Sequence, residues 1–205
     1  CMPLTTGQRH CYDARGEMIP CEGSGQDGEH GKDFEYKGKR FQPGKKTVLD
    51  TLTGLEWTRD ASIAKFPLTW NEAFDFIRGM NEDEYSGCSD WRLPNRRELF
   101  SLVSHVRINP ALDDGHPFEN TFPGYYWTST TCSRLPGQAW YVHLGGARVH
   151  RGMKHGSFMV WPVRSGRNPE GCILATGQTT CFGSSGKIVP CGSTGQDGDL
   201  QIGRQ

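Results

Sequence analysis

The chain has 205 residues, enough for one well-buried domain with appendages. Its 23 basic and 23 acidic side chains balance, which excludes a strong overall field for nucleic acid or an anionic membrane. No apolar run reaches the roughly 18 residues of a transmembrane segment.

Eight cysteines, none in Cys-x-x-Cys spacing, argue against zinc-ribbon and thioredoxin chemistry and for disulfides in an exported, extracellular or cell-surface protein. The start at Cys1 reads as a processed or trimmed N-terminus. Cys1 has two chemistries open to it, a lipid anchor or a disulfide, and the even cysteine count favours the disulfide.

The chain opens on a repeat. Leu4-Thr5-Thr6-Gly7-Gln8-Arg9-His10-Cys11 recurs as Leu174-Ala175-Thr176-Gly177-Gln178-Thr179-Thr180-Cys181, and Ser24-Gly25-Gln26-Asp27-Gly28 recurs as Thr194-Gly195-Gln196-Asp197-Gly198. Gly16, Pro20 and Cys21 likewise recur as Gly186, Pro190 and Cys191, all without a gap. Each copy reads as a β-hairpin, with turn chemistry at Asp13-Ala14-Arg15-Gly16 and Gly183-Ser184-Ser185-Gly186. So small a hairpin needs a staple. Cys11 is expected opposite Cys21, and Cys181 opposite Cys191, each bridge contributing roughly 3 kcal/mol in the chain-entropy model. Side-by-side copies would bring Cys1 to Cys172, leaving Cys88 and Cys132 as the fourth pair. Asp27, Glu29 and Asp33 alternate loosely like a calcium loop but lack the terminal bidentate glutamate, so a polar turn is the better reading.

The boundaries that follow are a hairpin repeat at 1–30, a linker at 31–46, a central domain at 47–166 and a second hairpin repeat at 167–205. In the central domain, Thr47–Asp50 and Leu55–Thr58 form a strand pair around Thr51-Leu52-Thr53-Gly54. Thr69 caps a helix with Glu72 closing the box, and Trp70, Ala73, Phe74 and Ile77 supply one apolar face. In Ser89-Asp90-Trp91-Arg92-Leu93-Pro94-Asn95, Trp91 is a core anchor and Asp90 and Arg92 orient the turn. Asn95 with Glu98 then starts a second helix over about 96–106, with Leu99, Leu102, Val103 and Val106 as its stripe. Residues 107–124 form a loop long enough to be functional. Tyr125–Thr131 is a strand, and Ala139–Leu144 and Ala147–Arg151 flank a Gly145-Gly146 turn. Trp140, Val142 and Leu144 are placed on one face, Tyr141 and His143 on the other. Phe158–Arg164 closes the sheet. Helices followed by a run of strands make an α+β domain with a mainly antiparallel sheet and two disulfide-stapled terminal hairpins.

The motifs Thr51-Leu52-Thr53-Gly54-Leu55-Glu56-Trp57, Ser89-Asp90-Trp91-Arg92-Leu93-Pro94-Asn95-Arg96-Arg97-Glu98-Leu99, Asn109-Pro110-Ala111-Leu112, Tyr126-Trp127-Thr128-Ser129-Thr130 and Val160-Trp161-Pro162-Val163-Arg164 stand in one order over about residues 41–166. Together they resemble the Lcl C-terminal domain family, named for the terminal domain of a bacterial collagen-like adhesin. The resemblance implies a C-type-lectin-like fold, related to that of formylglycine-generating enzymes, and extracellular binding, with glycosaminoglycan attachment attributed to the adhesin. Tyr126–Arg164 also resembles the variable region of retroelement-diversified ligand-binding proteins. Fold analogy does not by itself fix a ligand.

Enzyme signatures are missing: no His-Glu-x-x-His, no Gly-x-Ser-x-Gly and no phosphate loop occur. Cys132 or Cys172 could correspond to the late reactive thiols of formylglycine-generating enzymes, but an even cysteine count favours bridges, and no catalytic residue is assigned. No cofactor is expected. Calcium is a weak alternative at Asp113, Asp114, Glu119 and Asn120. The best ligand candidates are Arg148, His150, Arg151, Lys154 and His155, a basic cluster fit for sulfate or carboxylate, with Tyr141 and Trp140 nearby for sugar stacking and His143 beside them as a further ligand candidate. Histidine protonation below about pH 6.5 is expected to raise anion affinity. The function expected is noncatalytic binding of a glycan or other surface ligand. The alternative is a structural subunit assembling head to tail through its terminal hairpins.

Overall fold

The computed structural model describes residues 6–30, 38–166 and 175–202. A central mixed α/β domain carries a small hairpin at each end. The N-terminal hairpin pairs β1 (Cys11–Tyr12) with β2 (Met18–Ile19) and ends in the single turn α1 (Asp27–His30). In the central domain, β3 (Phe41–Pro43), β4 (Thr47–Asp50) and β5 (Leu55–Thr58) run antiparallel. Then follow β6 (Leu68–Thr69), α2 (Trp70–Glu82) and α3 (Arg96–Phe100). A three-stranded sheet of β7 (Tyr125–Thr131), β8 (Gln138–His143) and β9 (Arg148–Met153) comes next, then β10 (Ser157–Phe158) and β11 (Val163–Ser165). The C-terminal hairpin is β12 (Cys181–Phe182) and β13 (Ile188–Val189), closed by α4 (Asp197–Ile202).

Period-two alternation puts the three-stranded sheet between two cores. Tyr126, Val142 and Leu144 face a cluster with Trp57, Trp161, Leu99 and Phe118. Trp127 and Ala139 face a second cluster built on Trp70, Phe74, Ile77, Trp91 and Leu93. Most of the buried indoles anchor a distant backbone: Trp70 Nε1 donates to Thr128 O at 2.8 Å, Trp127 Nε1 to Leu68 O at 2.9 Å and Trp161 Nε1 to Thr58 O at 3.0 Å.

Both capping boxes form, at Thr69 with Glu72 and at Asn95 with Glu98. The second helix is shorter than its apolar stripe suggests. It ends at Phe100, and Leu102 N and Val103 N turn back to Leu99 O and Phe100 O in tight i→i+3 bonds. Ser101 Oγ bonds Glu98 O at 2.7 Å, the side-chain competition that weakens helices. Leu99, Leu102 and Val103 stay buried while Val106 is exposed.

Other boundaries shift too. Phe41–Pro43 lies in the stretch read as linker, yet it forms the edge strand of the four-stranded sheet β11-β5-β4-β3. The closing strand is not continuous. Ser157 and Phe158 pair with β6, Met159 bridges Tyr126 in parallel, and Val163 pairs with Trp57. Pro162, with no N–H, separates the pieces as the chain crosses from one sheet to the other. The long loop serves the core: Phe118 packs edge-on to Trp161 at 4.8 Å and to Phe41 at 5.1 Å.

Cys11–Cys21 and Cys181–Cys191 are bonded, each with Cα atoms 5.2 Å apart. Within the ladders, however, Cys11 faces Ile19 and Cys181 faces Val189, so the second cysteine of each bridge lies just beyond its strand. The expected Cys88–Cys132 bond does not form. Cys88 follows the turn after α2 and packs on the second core, whereas Cys132 is buried just past the end of β7, on a different element. Cys1 and Cys172 lie outside the described residues, as does Asp33.

Candidate functional site

Strand register sorts the basic and aromatic candidates onto two faces of the three-stranded sheet. Residues directly opposite share a face, and Tyr125, His143 and Arg148 form one such row. Trp127, Tyr141 and His150 form the next row on the same face. Trp140 lies opposite Arg151, on the other side.

On the first face the rings cluster. Tyr125 stands 4.6 Å from His143 and 5.0 Å from Tyr141, centroid to centroid. Phe158 lies 5.2 Å from Tyr125, 4.9 Å from Tyr141 and 4.3 Å from buried Trp127, so the outer rings rest on a rigid floor. Tyr125 is 44 % exposed. Two glycines make room for the assembly. A Cβ at Gly152 would stand 2.8 Å from the Phe158 ring, and one at Gly145 would stand 2.9 Å from His143 Cε1.

This face is nearly neutral in its middle. Burial, then the charge of Arg148, lowers the His143 pKa from 6.5. Burial and the neighbouring Tyr125 raise that of Tyr141. His143 therefore resists protonation as the pH drops and joins this face as a neutral ring. The permanent charge at the edge is Arg148.

The second face packs on the first core through Tyr126 and Val142, and its Trp140 end meets the C-terminal hairpin. Trp140 is half-buried under Arg96, whose guanidinium carbon is 4.5 Å from the ring centroid. With Thr130, Thr131, Gln178 and Phe182, these two line a cleft of about 390 Å³ between domain and hairpin. Lys154 is not available to a ligand. It is 2 % exposed, its Nζ lies 3.8 Å from the Trp70 ring centroid, and it donates to Phe182 O at 3.0 Å. Burial pushes its pKa down to about 8. Arg151 and His155 are exposed but stand apart from the aromatic face. The eight candidates thus divide. Tyr141, His143, Arg148 and His150 come together, Trp140 and Arg151 face the other way, Lys154 is a structural joint, and His155 sits in the turn after β9.

Tyr125 and Phe158 complete the cluster, although they carry no basic or motif signal. Tyr125 was findable from the hairpin alternation, since it falls opposite His143. Phe158 was not, because the break that aims its ring toward β7 and β8 depends on pairing with Leu68.

Of the carboxylates a metal could use, Glu29, Asp114 and Glu119 are engaged elsewhere. Glu29 accepts from Gly23 N and Gly25 N, both at 2.7 Å, and these bonds lower its pKa. Asp114 pairs with Arg107, and Glu119 with Arg59 at 2.9 Å. Among the described residues no three His, Cys, Asp or Glu side chains converge as a metal site. Asp90 and Arg92 are structural: Asp90 accepts from Arg164 at 2.6 Å, and Arg92 forms a buried two-point pair with Glu98 at 2.6 and 2.8 Å. No described helix is long and apolar enough to cross a membrane.

Comparison with curated proteins gave no match. The sequence profile of the Lcl C-terminal domain matches residues 46–164, from the end of the β3–β4 turn to the middle of β11. That span is more than half the chain and holds both cores and the whole aromatic face, and the chain therefore belongs to the Lcl C-terminal domain family.

Proposed function

We propose that this protein is a noncatalytic, surface-associated binding protein with a lectin-type central domain that takes up a saccharide on the aromatic face of its three-stranded sheet. One observation carries the reading: Tyr141 and His143 gather within 5.0 Å of Tyr125 on one sheet face, with Arg148 in the same row as Tyr125 and His143. Aromatic faces suit the apolar face of a sugar ring, and the arginine fork suits a carboxylate or sulfate beside it. The ligand class is an acidic glycan. Membership of the family and the two disulfides support a place outside the cell.

A glycan array probed with the full chain tests this. Saturable binding to acidic glycans is expected. Tyr125→Ala/Tyr141→Ala should weaken it about tenfold or more, each ring contributing about 1 kcal/mol. Arg148→Gln should selectively reduce binding to the charged members. Equal binding by wild type and the double tyrosine variant would exclude this face as the site.

A further inference from the structure

The two terminal hairpins match in sequence and internal geometry but not in surroundings. Gln26 accepts from Tyr12 N at 3.0 Å and donates to Tyr12 O at 2.8 Å; Gln196 does the same with Phe182 at 3.0 and 3.2 Å. Thr6 donates to Asp27 as Thr176 donates to Asp197.

The C-terminal copy then spends its outer face on the central domain. The Gln178 amide mimics a strand residue, accepting from Thr131 N at 3.0 Å and donating to Thr131 O at 2.9 Å. Asp197, 1 % exposed, accepts from the Thr130 hydroxyl at 2.8 Å. Phe182 O accepts from Lys154. The N-terminal copy carries the same groups at Gln8, Asp27 and the Tyr12 carbonyl, and there Asp27 and Tyr12 are exposed. Among the described residues the Gln8 side-chain amide makes no hydrogen bond, and a backbone bond from His105 N to Thr6 O at 3.2 Å ties this hairpin to the central domain.

We propose that the N-terminal hairpin is a docking module whose Gln8–Asp27 face binds, in a second copy of this chain, the seat formed by Thr130, Thr131 and Lys154. A second copy is the occupant chosen because this chain displays the complementary seat, group for group, against the twin hairpin. In an isolated copy the twin holds that seat, favoured by its tether and by Leu200, which lines an apolar groove with Phe74 and Ile77. His30 stands at the position of Leu200 in the N-terminal copy, making it the weaker occupant. Exchange therefore needs the C-terminal hairpin to leave. The contact is heterologous, so successive exchanges run head to tail and form a filament where the rotation does not close. Nothing here depends on the saccharide reading.

The test is the mass of the full-length chain by light scattering over a wide concentration range. Gln178→Ala/Asp197→Ala empties the seat, and the average mass should rise about twofold or more with concentration while wild type stays monomeric. Adding Gln8→Ala/Asp27→Ala should restore the monomer. Should the first variant fail to fold, Leu200→His weakens the cis hairpin more mildly, and its association should again be reversed by Gln8→Ala/Asp27→Ala. A folded seat-weakened variant that stays monomeric overturns the proposal. So does association that persists without Gln8 and Asp27.

Discussion

At the scale of single residues, the aromatic face depends on what is absent at Gly152. The Phe158 ring occupies the space a side chain would need, and Tyr125, Tyr141 and Trp127 all rest on that ring. Gly152→Ala should therefore cost about 1–3 kcal/mol by overpacking, read as a shift of the urea midpoint, and should weaken the proposed glycan binding with it. The pair Arg92–Glu98 is a second such point. Glu98 is buried, holds Arg92 through both oxygens and also accepts from Asn95 N at 2.8 Å. Glu98→Ala should destabilise by about 3–5 kcal/mol in urea denaturation, since it leaves a buried guanidinium unpaired and removes a cap. The sequence showed the capping box through its Asn-x-x-Glu spacing. The ion pair it left open, because Arg92 precedes the helix and reaches Glu98 only after the chain turns at Pro94.

Among elements, the C-terminal hairpin is seated by Lys154, and the sign of its pH dependence follows from burial. Burial lowers the Lys154 pKa from 10.5 to about 8, and the seated hairpin supplies part of that burial alongside Trp70. Between those values the released state binds a proton that the seated state does not, so seating strengthens as pH rises through that window. The urea concentration that detaches the hairpin, followed by Trp140 fluorescence, should increase from about pH 8 to about pH 10, and Lys154→Met should abolish that increase. Lys154 looked like a surface charge because it closes a basic run. Its burial is set by Trp70 of α2 and by β12, which lies 28 residues further along the chain. The helix at 96–100 teaches the converse: its apolar spacing continues to Val103, but hydroxyl side chains and tight turns end the helix while the same residues stay in the core.

For the whole molecule, the staples and the cores are separate sources of order. Among the described residues, each disulfide closes a loop within one hairpin, with a sequence separation of 10, and neither crosses the central domain. Reduction should therefore loosen the hairpins, at a cost of roughly 3 kcal/mol each, and leave the tryptophan-rich cores folded. Near-ultraviolet circular dichroism should be retained on adding dithiothreitol, while amide exchange in β1, β2, β12 and β13 speeds up. Loss of the tertiary signal on reduction would contradict this independence.

From sequence alone the repeat, the two hairpin disulfides, both capping boxes, the first strand pair and the family were legible, because each is set by neighbours close along the chain or by a short motif. What the tertiary structure decided is which face each side chain serves. The ligand candidates from Trp140 to His155 split between two sheet faces, Cys88 and Cys132 stay unbonded, Lys154 is buried, and Tyr125 with Phe158 completes the aromatic cluster. Those outcomes depend on contacts between elements far apart in the chain, where burial and register, not local spacing, set the free energy.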